Sequence, residues 1–364
     1  MSRAATAKAR LQPFFGAPFN TAATGLSLVA VAAALLPLLR WAVFDAVWSG
    51  TSRDCAIAQG ACWIYVGDKV SFFTFGFYPD PERWRASLAM LLMIGTIAAS
   101  MIPRFWHKGL LAAWVVGLAL VLWLLGGGAG LMPVATDNWG GFPLTLLLAT
   151  HGLAAGFPVG VLLALGRTSS LPLFRWLCTG LIELQRGVPF ISLLFMASVM
   201  LPLFLPEQIT PTKLVRAESA FVLVIGAYIA EVVRGGLQGV PRGQREAAAA
   251  LGLGYWRTAW LISLPQALRI SVPGLVNVGV VFFKDTSLVV IIGLTDFLAA
   301  VSSGARDTEW LGHDVEGYLF AAVIYFVFCT CMSRYAAWLE RRLRTGQERI
   351  ATPVATIPEP EPAR

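Results

Sequence analysis

Apolar positions along this chain fall in long runs, not in a short alternation between core and surface. They occupy approximately 22–44, 86–102, 110–126, 141–166, 176–204, 218–234, 268–292 and 316–339. A helix rises 1.5 Å per residue, so about 20 apolar residues cross the hydrocarbon core of a bilayer. The pattern predicts an all-α integral membrane protein with about eight transmembrane helices. The fifth run carries Glu183 and Arg186 and is broken near Pro189, so its first part reads as an interfacial helix.

Composition agrees with that pattern. Hydrophobic residues make up 57% and charged residues 13%, against about 25% charged in a typical soluble domain. Mean hydropathy is +0.67. The net charge of +7 therefore reports membrane orientation first, and no nucleic-acid partner is expected. The basic opening "MSRAATAKARLQPFFGAPFN" precedes an apolar run longer than a signal-peptide core, so 1–21 reads as a cytoplasmic tail. Arginines then concentrate in alternate loops, with Arg104, Arg167, Arg175, Arg242, Arg245, Arg257 and Arg341 on the side of the tail. This bias predicts that both termini are cytoplasmic.

The chain subdivides into three spans plus five. Residues 22–126 form the first group, with an extracytoplasmic loop at 45–85. A Gly-rich linker at 127–140 leads to a five-span unit at 141–345, whose largest cytoplasmic loop is 235–267. The Pro- and Glu-rich segment 346–364 reads as disordered. Cys178, Cys329 and Cys331 lie in apolar segments and read as packing residues. Cys55 and Cys62 lie in the outside loop, where an oxidising compartment would permit a disulfide.

Enzymatic chemistry finds no foothold. His107, His151 and His313 are scattered, no metal site is expected, and no nucleophile–base pairing is visible. None of the five lysines (Lys8, Lys69, Lys108, Lys213, Lys284) is followed by Ser or Thr, so no Walker A loop exists. ATP-driven transport would require a separate ATPase chain.

The loop after the sixth span has helical patterning of its own. "REAAAAL" (245–251) is rich in the strongest helix former, and Gly252 and Gly254 would end that helix. "YWRTAWLISL" follows and is expected to stop at Pro265. By itself this describes either an amphipathic hairpin on the bilayer or an element that docks in a partner's groove.

The order and spacing are more specific. Glu246-Ala247-Ala248, three residues, Gly252, nine residues and then Ile262-Ser263-Leu264-Pro265 resemble the EAA signature of permeases of binding-protein-dependent ABC importers. "IELQRGVPF" (182–190), "AYIAEVVRGGLQGVPRGQREAA" (227–248) and "FKDTSL" (283–288) resemble the polar-amino-acid branch, and the three leading spans resemble the M-type permease of general L-amino-acid importers. This chain has Arg186-Gly187-Val188-Pro189-Phe190-Ile191 where members often carry "RGTPLL". The resemblance implies a five-helix ABC-importer permease core preceded by three extra helices in the bacterial inner membrane. It also implies that Glu246, Ala247, Ala248, Gly252, Ile262, Leu264 and Pro265 couple to a cytoplasmic ABC ATPase dimer. ATP and Mg would sit on that partner, with no cofactor bound here. A second permease subunit, favoured as a homologous heterodimer partner, and a periplasmic amino-acid-binding protein would complete the system.

One segment offers candidate substrate chemistry. Lys284 and Asp285 sit side by side inside an apolar span, where each costs about 2.5–3.5 kcal/mol at a helix centre. Helix neighbours at i and i+1 diverge by about 100°, so the two cannot neutralise each other on a regular helix. Two readings stay open. In the first, they close a buried network with Asn277, Glu231, Glu183 or Arg186. In the second, they line a passage with Thr286 and Ser287, taking the carboxylate and ammonium of an L-amino acid. The alternative function is an ion-coupled secondary amino acid transporter with Lys284, Asp285 and Glu231 as its relay. A non-transporting membrane scaffold is a further rival.

Overall fold

The computed structural model describes residues 14–348. Residues 1–13 of the expected cytoplasmic tail and 349–364 of the expected disordered tail at 346–364 lie outside the described residues, while 346–348 are the helical end of the last span's helix and not disordered. The helices in chain order are α1 (Pro18–Leu39), α2 (Ser52–Ile57), α3 (Trp63–Phe75), α4 (Arg83–Met101), α5 (Lys108–Gly126), α6 (Gly141–Arg167), α7 (Pro172–Gly187), α8 (Phe190–Phe204), α9 (Lys213–Gln238), α10 (Arg242–Ala250), α11 (Tyr255–Ile292), α12 (Phe297–Gly304) and α13 (Asp314–Glu348). Among the described residues seven helical stretches are long and apolar enough to cross a membrane, and eight if α7 and α8 form one bent span. The spans fall where the apolar runs place them.

Two differences from the sequence reading have local causes. The 45–85 loop is largely helical: α3 buries Tyr65, Val66 and Phe73. Pro265 does not stop the helix that precedes it. Residues Ala259–Ser263 form a π turn, in which the Leu264 amide donates to the Ala259 carbonyl. That wider turn carries the chain past a proline that has no amide to donate. α11 therefore runs unbroken from the loop into the span.

The chain forms two compact units. One comprises the residues up to Val70 together with Gly304–Phe320. Its α1 has no buried residue. A disulfide joins Cys55 to Cys62, with Cα atoms 5.5 Å apart. The Cys62 amide donates to Glu316 Oε1 at 2.8 Å, and Lys69 Nζ lies 2.8 Å from Asp307. Trp310 donates to Asp68 at 3.2 Å. The Tyr65 hydroxyl is pushed up to about 12, first by burial and then by Asp314 and Glu316. The ligand atoms of Cys55, Cys62 and His313 cluster within 4.8 Å, but sulfurs joined to each other offer no thiolate to a metal.

The second unit comprises Ser71–Ser303 and the residues from Ala321 onward. α4 packs on α5, and both belong to this unit. Arg85 is wholly buried, held by Glu82 at 2.8 Å and the Met132 carbonyl at 3.0 Å. The Gly-rich segment can double back there because a Cβ on Gly127 would sit 2.2 Å from that same carbonyl. At the centre, α6 packs along α9. Gly152, Gly156 and Gly160 recur every four residues and bring the backbones together. A Cβ on Gly160 would lie 2.6 Å from Cβ of Ile229. Small residues at this spacing are how helices associate tightly where the solvent is as apolar as their side chains. α7 ends at Gly187, and α8 departs at 104° through Val188-Pro189. α7 exposes Leu173, Phe174, Trp176, Leu177 and Leu184 while burying Ile182, the two-faced pattern of a helix lying along a surface.

Candidate functional site

α11 changes character at the charged segment. It is α-helical through Asp285, continues as a 3₁₀ turn over Thr286–Ile292 and ends at Gly293 in the left-handed region (φ 77°). The Thr286 hydroxyl donates to the Phe283 carbonyl at 2.9 Å, and Ser287 donates to that of Lys284 at 2.9 Å. These local bonds satisfy two hydroxyls at the change of helical pitch.

Aromatic packing fixes which face points outward. Phe282 packs against Phe190 and Tyr228, with ring centroids 5.8 and 5.4 Å away. Phe283, about 100° further round, packs against Phe328 and Tyr325 at 5.7 and 5.5 Å. Both phenylalanines are buried. The remaining face carries Asn277, Val281 and Lys284, all exposed, with Asp285 half-buried beside it. Asn277 and Lys284 are seven residues apart and so share that face. Among the described residues, the side chains of Lys284 and Asp285 make no hydrogen bond and no ion pair within 4.0 Å.

Glu231 is differently placed. On α9, its carboxylate is held by Arg167 from the end of α6, by Arg234 at 2.9 Å and by Arg186 from α7 at 3.5 Å. Arg167 also reaches Glu183 at 2.9 Å, and the Arg186 guanidinium stacks over Tyr228 at 5.5 Å. The structure thus joins Glu231, Glu183 and Arg186 to one another, but not to Lys284 or Asp285. Arg167, which the sequence presents only as an orientation charge, and Arg234 complete this cluster. Nothing local in the sequence marks them, because Arg167 and Glu231 are 64 residues apart.

The loop after α9 presents a second surface. α10 exposes every residue except Ala248, including Glu246 and Ala247. It closes in a Schellman turn: the Leu253 amide donates to Ala248 O at 3.0 Å and the Gly252 amide to Ala249 O at 2.9 Å. Gly252 has φ 72°, where a side chain is strained. Leu251, Tyr255, Trp256, Trp260 and Leu261 are all exposed. Ile262 is half-buried, Leu264 buried and Pro265 exposed. A solvent-facing Glu, a rigid glycine turn and a row of exposed large apolar side chains suit a protein contact better than open solvent.

Comparison with known proteins agrees with this arrangement. Residues 156–345 match the family described as binding-protein-dependent transport system inner membrane component. The chain is 50% identical to the inner membrane amino-acid ABC transporter permease protein YhdY of Escherichia coli (strain K12), over 85% of this chain and 86% of that one. It is 35% identical to the glutamate/glutamine/aspartate/asparagine transport system permease protein BztC of Rhodobacter capsulatus, over 91% of this chain and 92% of that one. The shorter glutamate/aspartate import permease protein GltK of Escherichia coli O6:H1 is 36% identical over 56% of this chain and 91% of its own length. That last match leaves a large part of this chain over, as expected for a permease core carrying extra helices. The chain belongs to the family of binding-protein-dependent transport system inner membrane components, and is the multi-pass permease subunit of an ATP-driven ABC importer of the inner membrane.

Proposed function

We propose that this permease passes L-amino acids along the face of α11 that carries Asn277, Lys284 and Asp285, with Ser287 beside it; Thr286 is wholly buried and donates to the Phe283 carbonyl, so it stands behind that face and not on it. The observation that carries the reading is the pair of unpartnered charges on a face this chain leaves uncovered. A Lys turned to lipid at a helix centre costs about 2.5–3.5 kcal/mol, so the face belongs against something polar. A second, homologous permease chain closing over it creates a polar passage at the shared interface. There Lys284 meets the substrate carboxylate and Asp285 its ammonium, with both charges exchanging water for a charge-assisted hydrogen bond. Glu231, locked by three arginines, serves this passage as a brace at the side and not as a ligand.

Family membership implies a separate ATPase and a binding protein, and it disfavours the ion-coupled alternative. In the proposed arrangement both termini are cytoplasmic and the ATPase dimer carries ATP and Mg. The loop at Glu246–Pro265 docks on that dimer through α10 and the exposed Leu251 and Trp256. A periplasmic amino-acid-binding protein delivers substrate at the opposite face. ATP-dependent alternation between two states then exposes the passage to either side. The test is uptake of labelled amino acids into proteoliposomes that hold the complex copurified with this chain. Lys284→Ala and Asp285→Ala should each lower uptake at least tenfold with the subunit composition intact. Normal uptake in both variants contradicts the passage.

A further inference from the structure

α12 begins where the passage helix α11 ends, and its first turn is capped by Asp296. That side chain is wholly buried and accepts from the Ala299 amide at 2.9 Å. The Phe297 amide donates to the Thr145 hydroxyl of α6 at 3.0 Å, and Gly141 pairs with Asp296 across a backbone bridge. These contacts fix the start of α12 to the start of α6. They need no charge, because an asparagine caps a helix as well as an aspartate does. Asp296 forms no ion pair among the described residues, and a buried unpaired charge costs stability.

The side chain that faces this carboxylate is Tyr325 of α13. Its ring lies between Phe283 and Phe297, with centroids 5.5 and 5.9 Å away. Phe283 precedes Lys284 and Phe297 follows Asp296, so one ring touches both the passage helix and the capped turn. The Tyr325 hydroxyl lies against Asp296, Thr286 and Thr145. Its oxygen is buried, yet among the described residues it makes no direct hydrogen bond. A buried hydroxyl left in that state is uncommon and calls for an explanation. Thr286, one of the groups it faces, opens the 3₁₀ turn that ends α11.

The geometry points to Asp296 as a positioning residue for transport, acting through Tyr325 on the turn Thr286–Ile292. This role rests on the passage proposed at Lys284 and Asp285, which that turn directly follows. A carboxylate attracts a phenolic hydroxyl more strongly than a neutral amide does, so the charge keeps the Tyr325 ring seated between α11 and α12. The seated ring holds Thr286 in the 3₁₀ register. Each residue advances about 120° there, against about 100° in an α-helix. A turn released from that register swings Ser287 relative to Asp285 and spoils the face that meets substrate. The role accounts for a charge on a cap that asparagine could supply.

The experiment uses the copurified complex in proteoliposomes and reads three quantities: amino acid moved per ATP hydrolysed, amide hydrogen exchange across 286–292, and the unfolding midpoint. Asp296→Asn keeps the cap and removes the charge, while Tyr325→Phe keeps the ring and removes the hydroxyl. Each should lower the amino acid moved per ATP about fivefold and speed exchange of the turn by a similar factor, the scale of one hydrogen bond. Neither should lower the midpoint. The double variant should fall no further than the more affected single one, because both act through one contact. A merely structural role predicts a lowered midpoint with an unchanged ratio in the complexes that stay folded. An unchanged ratio, or unchanged exchange of the turn, in both single variants overturns the inference. Lys284→Ala, measured alongside, keeps the two failures apart. A normal ratio in that variant contradicts the passage, while exchange of the turn in Asp296→Asn still decides the positioning. A low ratio there, with normal values in Asp296→Asn and Tyr325→Phe, overturns the positioning alone.

Discussion

The charges around Glu231 and those at Lys284 and Asp285 both sit within spanning helices, and they are built in opposite ways. Around Glu231, three arginines and a second glutamate from α6, α7 and α9 satisfy one another. At Lys284 and Asp285 no hydrogen bond or ion pair among the described residues answers either charge, although both stand on a helix clamped by Phe282 and Phe283. A paired charge placed where three helices meet holds those helices together. An unpaired charge on a rigid, uncovered face is oriented for something that arrives from outside. The difference teaches that location within a membrane span does not by itself mark a transport residue, and the proposed passage rests on Lys284 and Asp285 because their partners are absent among the described residues.

Ranking substitutions by their effect on stability sharpens that contrast. Glu231→Ala should cost most, about 2–3 kcal/mol, somewhat below the loss from breaking a fully buried pair because these side chains keep some solvent. It leaves three arginines facing one another, and thermal unfolding of the purified chain should show the loss. Asp296 comes next. It is wholly buried and accepts from the Ala299 amide at 2.9 Å. Burial pushes its carboxyl up to about 6 from 3.8, against those backbone donors. An acid whose folded value is raised binds its proton more tightly when folded. Its charged form therefore costs stability that is absent below about pH 4 and fully felt above about pH 6, on the order of 2–3 kcal/mol. Asp296→Asn should remove that slope and raise stability at pH 7.5, as read from unfolding midpoints across pH. Gly252→Ala should cost about 1 kcal/mol through strain at positive φ, with no clash, because a Cβ there meets nothing within 4 Å. ATPase copurification should fall with it if the turn presents α10. Lys284→Ala should cost least, within about 0.5 kcal/mol, since it breaks no contact.

Much of this was legible in the sequence because it is local. Apolar runs placed the spans, Pro189 marked the bend, and the glycine of the EAA spacing, Gly252, stands in a left-handed turn that explains it. The loss came where distant residues or a shifted helical register decide. Pro265 reads as a stop unless the π turn before it is known. The α3 helix carries only thirteen residues within a loop, too few to read as a span. Glu231 could be assigned to either charged group, because two of its contacts, Arg167 and Arg186, come from elements that only tertiary packing brings together.

The central claim is that Lys284 and Asp285 wait for substrate and do not brace the fold. The most direct measurement is ATP-driven amino acid uptake by the copurified complex carrying Lys284→Ala, alongside its unfolding midpoint. The account predicts an unfolding midpoint within error of the parent and uptake reduced at least tenfold. A lowered midpoint with uptake per folded complex unchanged would contradict it and return Lys284 to the structural network.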